Sequence, residues 1–256
     1  MSNILDLIRY CIIEMINIIK FKSKEIYPVR DKVYSSIHSL EELYSSYINI
    51  EPHAFLHAGM MSNTILKEKL NGVNAISIGI DLLKDSTLVK NNNLNIDVFD
   101  LDGKAVDLAN GLSHEFKISE SLKYFNQNVL SREFKLKKEY KLCILSQMDY
   151  ILSDKEIESL LMKISSANIK YILILTPSIF SFRASPYKTV DLIYNFLYSM
   201  KSRLIDKHKE YITTFRRRES HLLNLFKKNY FCGYKFDYAY PSGREYLFLL
   251  QSKNLE

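Results

Sequence analysis

Ala75-Ile76-Ser77-Ile78-Gly79-Ile80-Asp81 is an apolar, β-type run that closes on one glycine and then an acid. About twenty residues later, Asn95-Ile96-Asp97-Val98-Phe99-Asp100-Leu101-Asp102 repeats the pattern, a second strand ending in acids, and the helical run Ala105-Val106-Asp107-Leu108-Ala109 follows it. Working outward, Leu122 to Phe125, Leu142 to Ser146 and Tyr171 to Leu175 are further strand candidates, with helical patterns at Lys104 to Phe116 and Asp154 to Ser166. Strands alternating with helices predict a parallel sheet covered on both faces. Asn91-Asn92-Asn93 reads as a short polar loop within this alternation.

The alternation ends near the C-terminus. Tyr234 to Tyr240 and Glu245 to Gln251 are β-type runs separated by Pro241-Ser242-Gly243-Arg244, a turn composition, so an antiparallel hairpin is expected there. Five parallel strands plus the hairpin make seven. Before Gly72 the periodicity is helical, in three segments punctuated by Pro28 and the Glu51-Pro52 step: Ile4 to Lys24, Asp31 to Ile48 and His53 to Leu70. The expected organisation is thus an N-terminal helical region, residues 1–70, ahead of an α/β three-layer αβα domain, residues 71–256. That domain carries a basic helical insertion at 183–230.

In open α/β sheets a ligand sits beyond the carboxyl ends of the strands, where the strand order reverses. Gly79 permits close backbone approach at that edge. Asp100, closing the second strand, is placed to accept both hydrogens of a ribose diol. The seven glycines of the chain never stand two residues apart, which excludes G-x-G-x-x-G, nor four apart, which excludes G-x-S-x-G. The only Gly-Lys step, Gly103-Lys104, has no glycine five residues upstream, so a phosphate-binding P-loop is excluded as well.

In the order and spacing of these elements, from Gly72 to Ser252, the sequence resembles the class I S-adenosylmethionine-dependent methyltransferases. The segments that carry the likeness are the first strand with Gly79, the acid Asp100 ahead of the helix containing Ala109, the fourth-strand segment Tyr140 to Met148, the fifth strand and the closing hairpin. The resemblance implies a Rossmann-like fold with a mostly parallel seven-stranded sheet, and S-adenosylmethionine as cofactor. It places Gly79, Asp81, Asp100 and Leu101 at the cofactor, and Asn128 with Val129 at the adenine. Ser146 and Gln147 would face the methionine part or the acceptor. His57, on the helix before the first strand, and Asp149, after the fourth, become candidates for removing a proton from the acceptor. The family's first loop usually reads acid-x-G-x-G-x-G. Here Ser77 replaces the acid and only Gly79 matches, while Asp81 stands where the next glycine would be, so its side chain either narrows the cofactor's path or contacts the cofactor.

Residues 183–230 hold eleven Lys/Arg against four acids, a net +7, whereas the rest of the chain carries −1. In this family, acceptor-binding elements are often inserted between the fifth strand and the hairpin. Arg183 and the run Arg216, Arg217 and Arg218 are therefore candidate contacts to an anionic small-molecule or glycan acceptor. A solvated helix face is the plainer account. The eighteen tyrosines could stack on bases, but they are scattered and no RNA-binding motif accompanies them, which ranks nucleic acid second.

His53 and His57 are spaced to meet one metal, but the glutamate of H-E-x-x-H is missing and no metal is expected. Three dispersed cysteines fit a reduced, cytoplasmic setting. Asp6, Arg9 and Glu14 interrupt the apolar N-terminus, which therefore reads as a packing helix, able to pair two copies as a homodimer, and not as a membrane span or signal peptide. Three functions stay open on the sequence alone. The first is methyl transfer to oxygen or nitrogen of an anionic acceptor. The second is aminocarboxypropyl transfer of the nicotianamine-synthase-like type. The third is a non-catalytic Rossmann-like interaction module in which Ser77 and Asp81 mark a lost cofactor site.

Overall fold

The computed structural model describes residues 37–50, 52–136, 139–146, 152–178, 219–240 and 243–253. The expected helix Ile4 to Lys24 and most of the insertion lie outside them. From Ser39 onward the chain forms one compact unit. Its elements are α1 (Leu40–Ile50), α2 (Pro52–Lys67), β1 (Asn74–Ile78), α3 (Leu82–Asn92), β2 (Asn95–Asp100), α4 (Gly103–Glu115), β3 (Leu122–Asn126), β4 (Leu142–Ser146), α5 (Asp154–Ser166), β5 (Tyr171–Ser178), α6 (Glu219–Phe226), β6 (Tyr230–Tyr240) and β7 (Gly243–Ser252).

One seven-stranded sheet runs in the order β3-β2-β1-β4-β5-β7-β6. β1 pairs in parallel with β2 on one side and β4 on the other, so the order reverses at β1. β7 joins β5 antiparallel and β6 folds back on it with a bulge between Cys232 and Tyr234, which gives the expected hairpin. Period-2 alternation divides the strand side chains between two faces. Ile76, Ile78, Phe99, Cys143 and Ile174 enter a core shared with Ile157, Leu160 and Ile164 of α5 and Leu222 and Phe226 of α6. Ser77 points the other way and meets the side chains of Lys84 and Asp85 on α3. Helices thus cover both faces, the three-layer αβα arrangement. Burial lifts the Cys143 thiol far above its usual range, so this cysteine is an inert core residue.

Helix α3 was not legible as a helix. Its residues are buried almost all round, including Lys84, Asp85, Ser86 and Asn92, so no apolar stripe alternates with a polar one. The expected polar loop at Asn91-Asn92-Asn93 is corrected accordingly. Asn91 and Asn92 belong to α3, the fully buried Asn92 donates to the Ser62 carbonyl at 3.0 Å, and Asn93 ends the helix at φ 52°. Helix α5 begins as its sequence suggests, with Ser153 as N-cap and a reciprocal capping box to Glu156. Within the basic stretch, Lys228 pairs with Glu158 of α5 at 2.9 Å. Among the described residues no helix is long and apolar enough to cross a membrane, and no group of His, Cys, Asp and Glu could hold a metal ion.

Candidate functional site

The carboxyl ends of β1 and β2 are tied together by backbone. Gly79 takes φ +84°, a conformation that costs a side-chain-bearing residue, and its N–H donates to the Phe99 carbonyl at 3.0 Å. The next amide, Ile80, donates to Asp100 Oδ2 at 2.9 Å, and the Asp102 amide donates to Asp100 Oδ1 at 2.9 Å. Each carboxylate oxygen thereby keeps a second acceptor position for an incoming donor. The turn after Asp100 is fixed from β3, because Asn126 donates to the carbonyls of Asp100 and Leu101 at 3.2 and 2.9 Å and its side chain packs over Gly103. Leu101 is held in that turn with its side chain 61% exposed, beside the anchored carboxylate.

Asp81 does not reach across this edge. It is the N-cap of α3 and its Oδ1 accepts from the Lys84 amide at 3.1 Å. Below it sits a buried polar cluster. Lys84 Nζ lies 3.2 Å from Asp85 Oδ1 and donates to Ser77 Oγ at 3.1 Å, while Ser77 Oγ donates to Asp85 Oδ1 at 3.3 Å. Asp85 Oδ2 accepts from the Asp81 amide at 3.2 Å. Burial pushes the Asp85 carboxyl up to about 6, against the opposing pull of Lys84. The first amides after Gly79 and the third residue of α3 are thus bound by internal carboxylates. Two of the first-turn amides of this helix are already bound, and Asp81, Asp100 and Asp102 make the edge anionic, while the buried Asp85 is balanced by Lys84.

The expected cofactor residues Gly79, Asp81, Asp100 and Leu101 therefore come together. Ser146 ends β4, the strand beside β1, and is half-buried. Asn128 is exposed, and its Oδ1 accepts from the Leu130 amide in a local turn at 2.9 Å. Val129 is buried in the core under α5, and its carbonyl accepts from Lys163 Nζ at 3.0 Å. His57 lies half-buried on α2, the helix packed against α3. Gln147, Asp149, Arg183, Arg216, Arg217 and Arg218 lie outside the described residues.

Sequence reasoning missed Lys84, Asp85 and Asn126. An acid four residues after Asp81, next to a lysine in an otherwise apolar stretch, was the available signal for the buried pair. It also missed a cavity of about 220 Å³ under the β3–β4 connection, lined among others by Phe99, Phe125, Phe134, Asp97 and Tyr140. Tyr140 donates its hydroxyl to Asp97 there, and burial together with that acceptor raises its phenol well above the usual range.

No protein-family model and no curated protein matches the chain. Solved structures do. An S-adenosylmethionine-dependent methyltransferase from Methanosarcina mazei matches with TM-score 0.54 at 12% identity, over 73% of this chain and 96% of that one. The N-methyltransferase NodS from Bradyrhizobium japonicum WM9 matches with TM-score 0.54 at 8% identity, over 79% and 97%. Magnesium protoporphyrin IX methyltransferase from Synechocystis PCC 6803, solved with bound S-adenosylmethionine, matches with TM-score 0.54 at 9% identity, over 78% and 80%. An open αβα sheet that reverses at β1 and closes in an antiparallel hairpin defines the class. The fold is that of the class I S-adenosylmethionine-dependent methyltransferases.

Proposed function

We propose that the edge formed by Gly79, Ile80, Asp100 and Leu101 binds S-adenosylmethionine, and that the protein transfers its methyl group to an oxygen or nitrogen of an anionic small-molecule or glycan acceptor. One observation carries the reading: Asp100 is anchored by two backbone amides, next to a glycine at positive φ and an exposed leucine. The donor set fits the cofactor. Its spare carboxylate positions suit a ribose diol, Leu101 offers an apolar surface to an adenine face, and an edge rich in carboxylates favours a cationic sulfonium over a phosphate.

When bound, the cofactor supplies a methyl group activated by positively charged sulfur. The chain's part is alignment of the acceptor and exclusion of water, which supplies much of the acceleration in an in-line displacement. Ser146 and Gln147 would line the methionine side. Asn128 and Val129 would border the adenine. His57 or Asp149 would take the proton from an acceptor hydroxyl or amine, and Arg183 with Arg216, Arg217 and Arg218 would hold the acceptor's negative charge.

Titration calorimetry with S-adenosylmethionine and S-adenosylhomocysteine tests the cofactor step. Wild type is expected to bind both, and Asp100→Ala to bind about tenfold or more weakly, as loss of charge-assisted hydrogen bonds predicts. A folded wild-type sample that gives no heat at high concentration would leave the non-catalytic module as the better account. Product mass then separates methyl from aminocarboxypropyl transfer. Alanine at Arg216 to Arg218 is expected to raise the acceptor KM while leaving cofactor binding unchanged.

A further inference from the structure

We propose that Asp85 is a positioning residue for the cofactor loop, fixing the Asp81 amide from helix α3 in a cluster that Ser77 of β1 completes. The inference rests on the cofactor reading above and concerns how that edge keeps its shape without the usual glycines. Asp81 caps α3 by accepting from the Lys84 amide, and Asp85 reaches back to accept from the Asp81 amide. This is a reciprocal cap in which the returning acid stands at the fourth helical residue instead of the third. The Asp81 amide is thereby pinned, and with the Ile80 amide on Asp100 and the Gly79 amide on Phe99, three consecutive peptide N–H groups of the loop are fixed.

The rest of the cluster explains why Asp85 can stay in place. Its second oxygen is held by Ser77 Oγ and Lys84 Nζ, and both ionic side chains are fully buried. An acid at position 77 would stand within hydrogen-bond reach of Asp85 and force two carboxylates onto one lysine. Serine at 77 and aspartate at 85 are thus complementary: the helix supplies the carboxylate, and a hydroxyl on the strand receives it.

Removing Asp85 alone would strand Lys84 in the interior, so the test uses two double variants that remove both charges. K84M/D85L has no acceptor for the Asp81 amide, whereas K84M/D85N keeps a side-chain carbonyl there. Replacing a buried ion pair by apolar groups is often tolerated, which keeps both variants usable. Hydrogen–deuterium exchange at the Asp81 amide in the ligand-free protein, together with S-adenosylmethionine affinity, supplies the readouts. K84M/D85L is expected to exchange about tenfold faster than wild type and to bind about tenfold more weakly, while K84M/D85N stays within about threefold on both counts. Wild-type protection of Asp81 in K84M/D85L would overturn the proposal, and so would equal loosening in both variants. If wild type binds no S-adenosylmethionine, the function reading fails and the exchange comparison alone decides this one.

Discussion

At the residue scale, the site depends on two backbone or charge states that side chains ordinarily avoid. Gly79 holds φ +84°, and Gly79→Ala is expected to cost about 1–2 kcal/mol, read as a lower midpoint in denaturant unfolding. An alanine variant as stable as wild type would show that the loop relaxes out of that conformation. Asp85 gives a pH dependence whose sign follows from its shift. Its carboxyl titrates near 3.8 in the unfolded chain and is raised to about 6 in the fold, chiefly by burial. Between those values the native state holds a proton that the unfolded state has lost. The contribution of Asp85 to stability is therefore fully present below about pH 4 and is lost as pH rises through about 6, on the order of a few kcal/mol. Other carboxylates titrate in the same region, so the measurement is the difference between wild type and K84M/D85N across that window. Relative to the variant, wild type should lose stability as the pH rises; a constant difference would mean that Asp85 is ionised throughout.

At the element scale, the reciprocal cap of α5 is the clearest isolated device. Ser153→Ala removes the side chain that accepts from the Glu156 amide, and should cost about 1 kcal/mol in denaturant titration with the cofactor edge undisturbed. A loss of cofactor affinity in that variant would show that α5 couples to the edge. The start of α5 at Asp154 was readable because its helical period is local, and the strands were readable because β-rich runs bounded by turns were enough to mark them. Helix α3 was not, since a helix buried on every side carries no period. The same blindness hid its chemistry. Lys84 and Asp85 satisfy each other across a few ångströms in space, and only the strand hydroxyl of Ser77 completes the group. Asn126 was hidden for a related reason: its partners are backbone carbonyls about 25 residues earlier, a contact that sequence spacing does not encode.

At the scale of the whole unit, a sheet that reverses at β1 places Gly79 and Asp100 side by side whatever the intervening sequence, which explains why their juxtaposition was legible from the strand order despite the missing glycines. Fold and ligand preference then separate. A helix that starts at such an edge usually offers free amides to a phosphate, but here Asp81 and Asp85 take up two of them, Asp100 takes the preceding one, and the carboxylates of Asp81, Asp100 and Asp102 surround the rest. The edge should therefore discriminate by charge among ligands that share adenosine. Binding to the native state alone stabilises it by mass action, about 2.7 kcal/mol at a hundred times Kd, which for a unit of this size raises Tm by roughly 5–10 °C. S-adenosylmethionine and S-adenosylhomocysteine should produce shifts of that order at saturation and adenosine a smaller one, whereas ATP, whose triphosphate would face these carboxylates, should leave Tm unchanged. Equal shifts with ATP and S-adenosylmethionine would mean that the carboxylates do not set what the edge accepts.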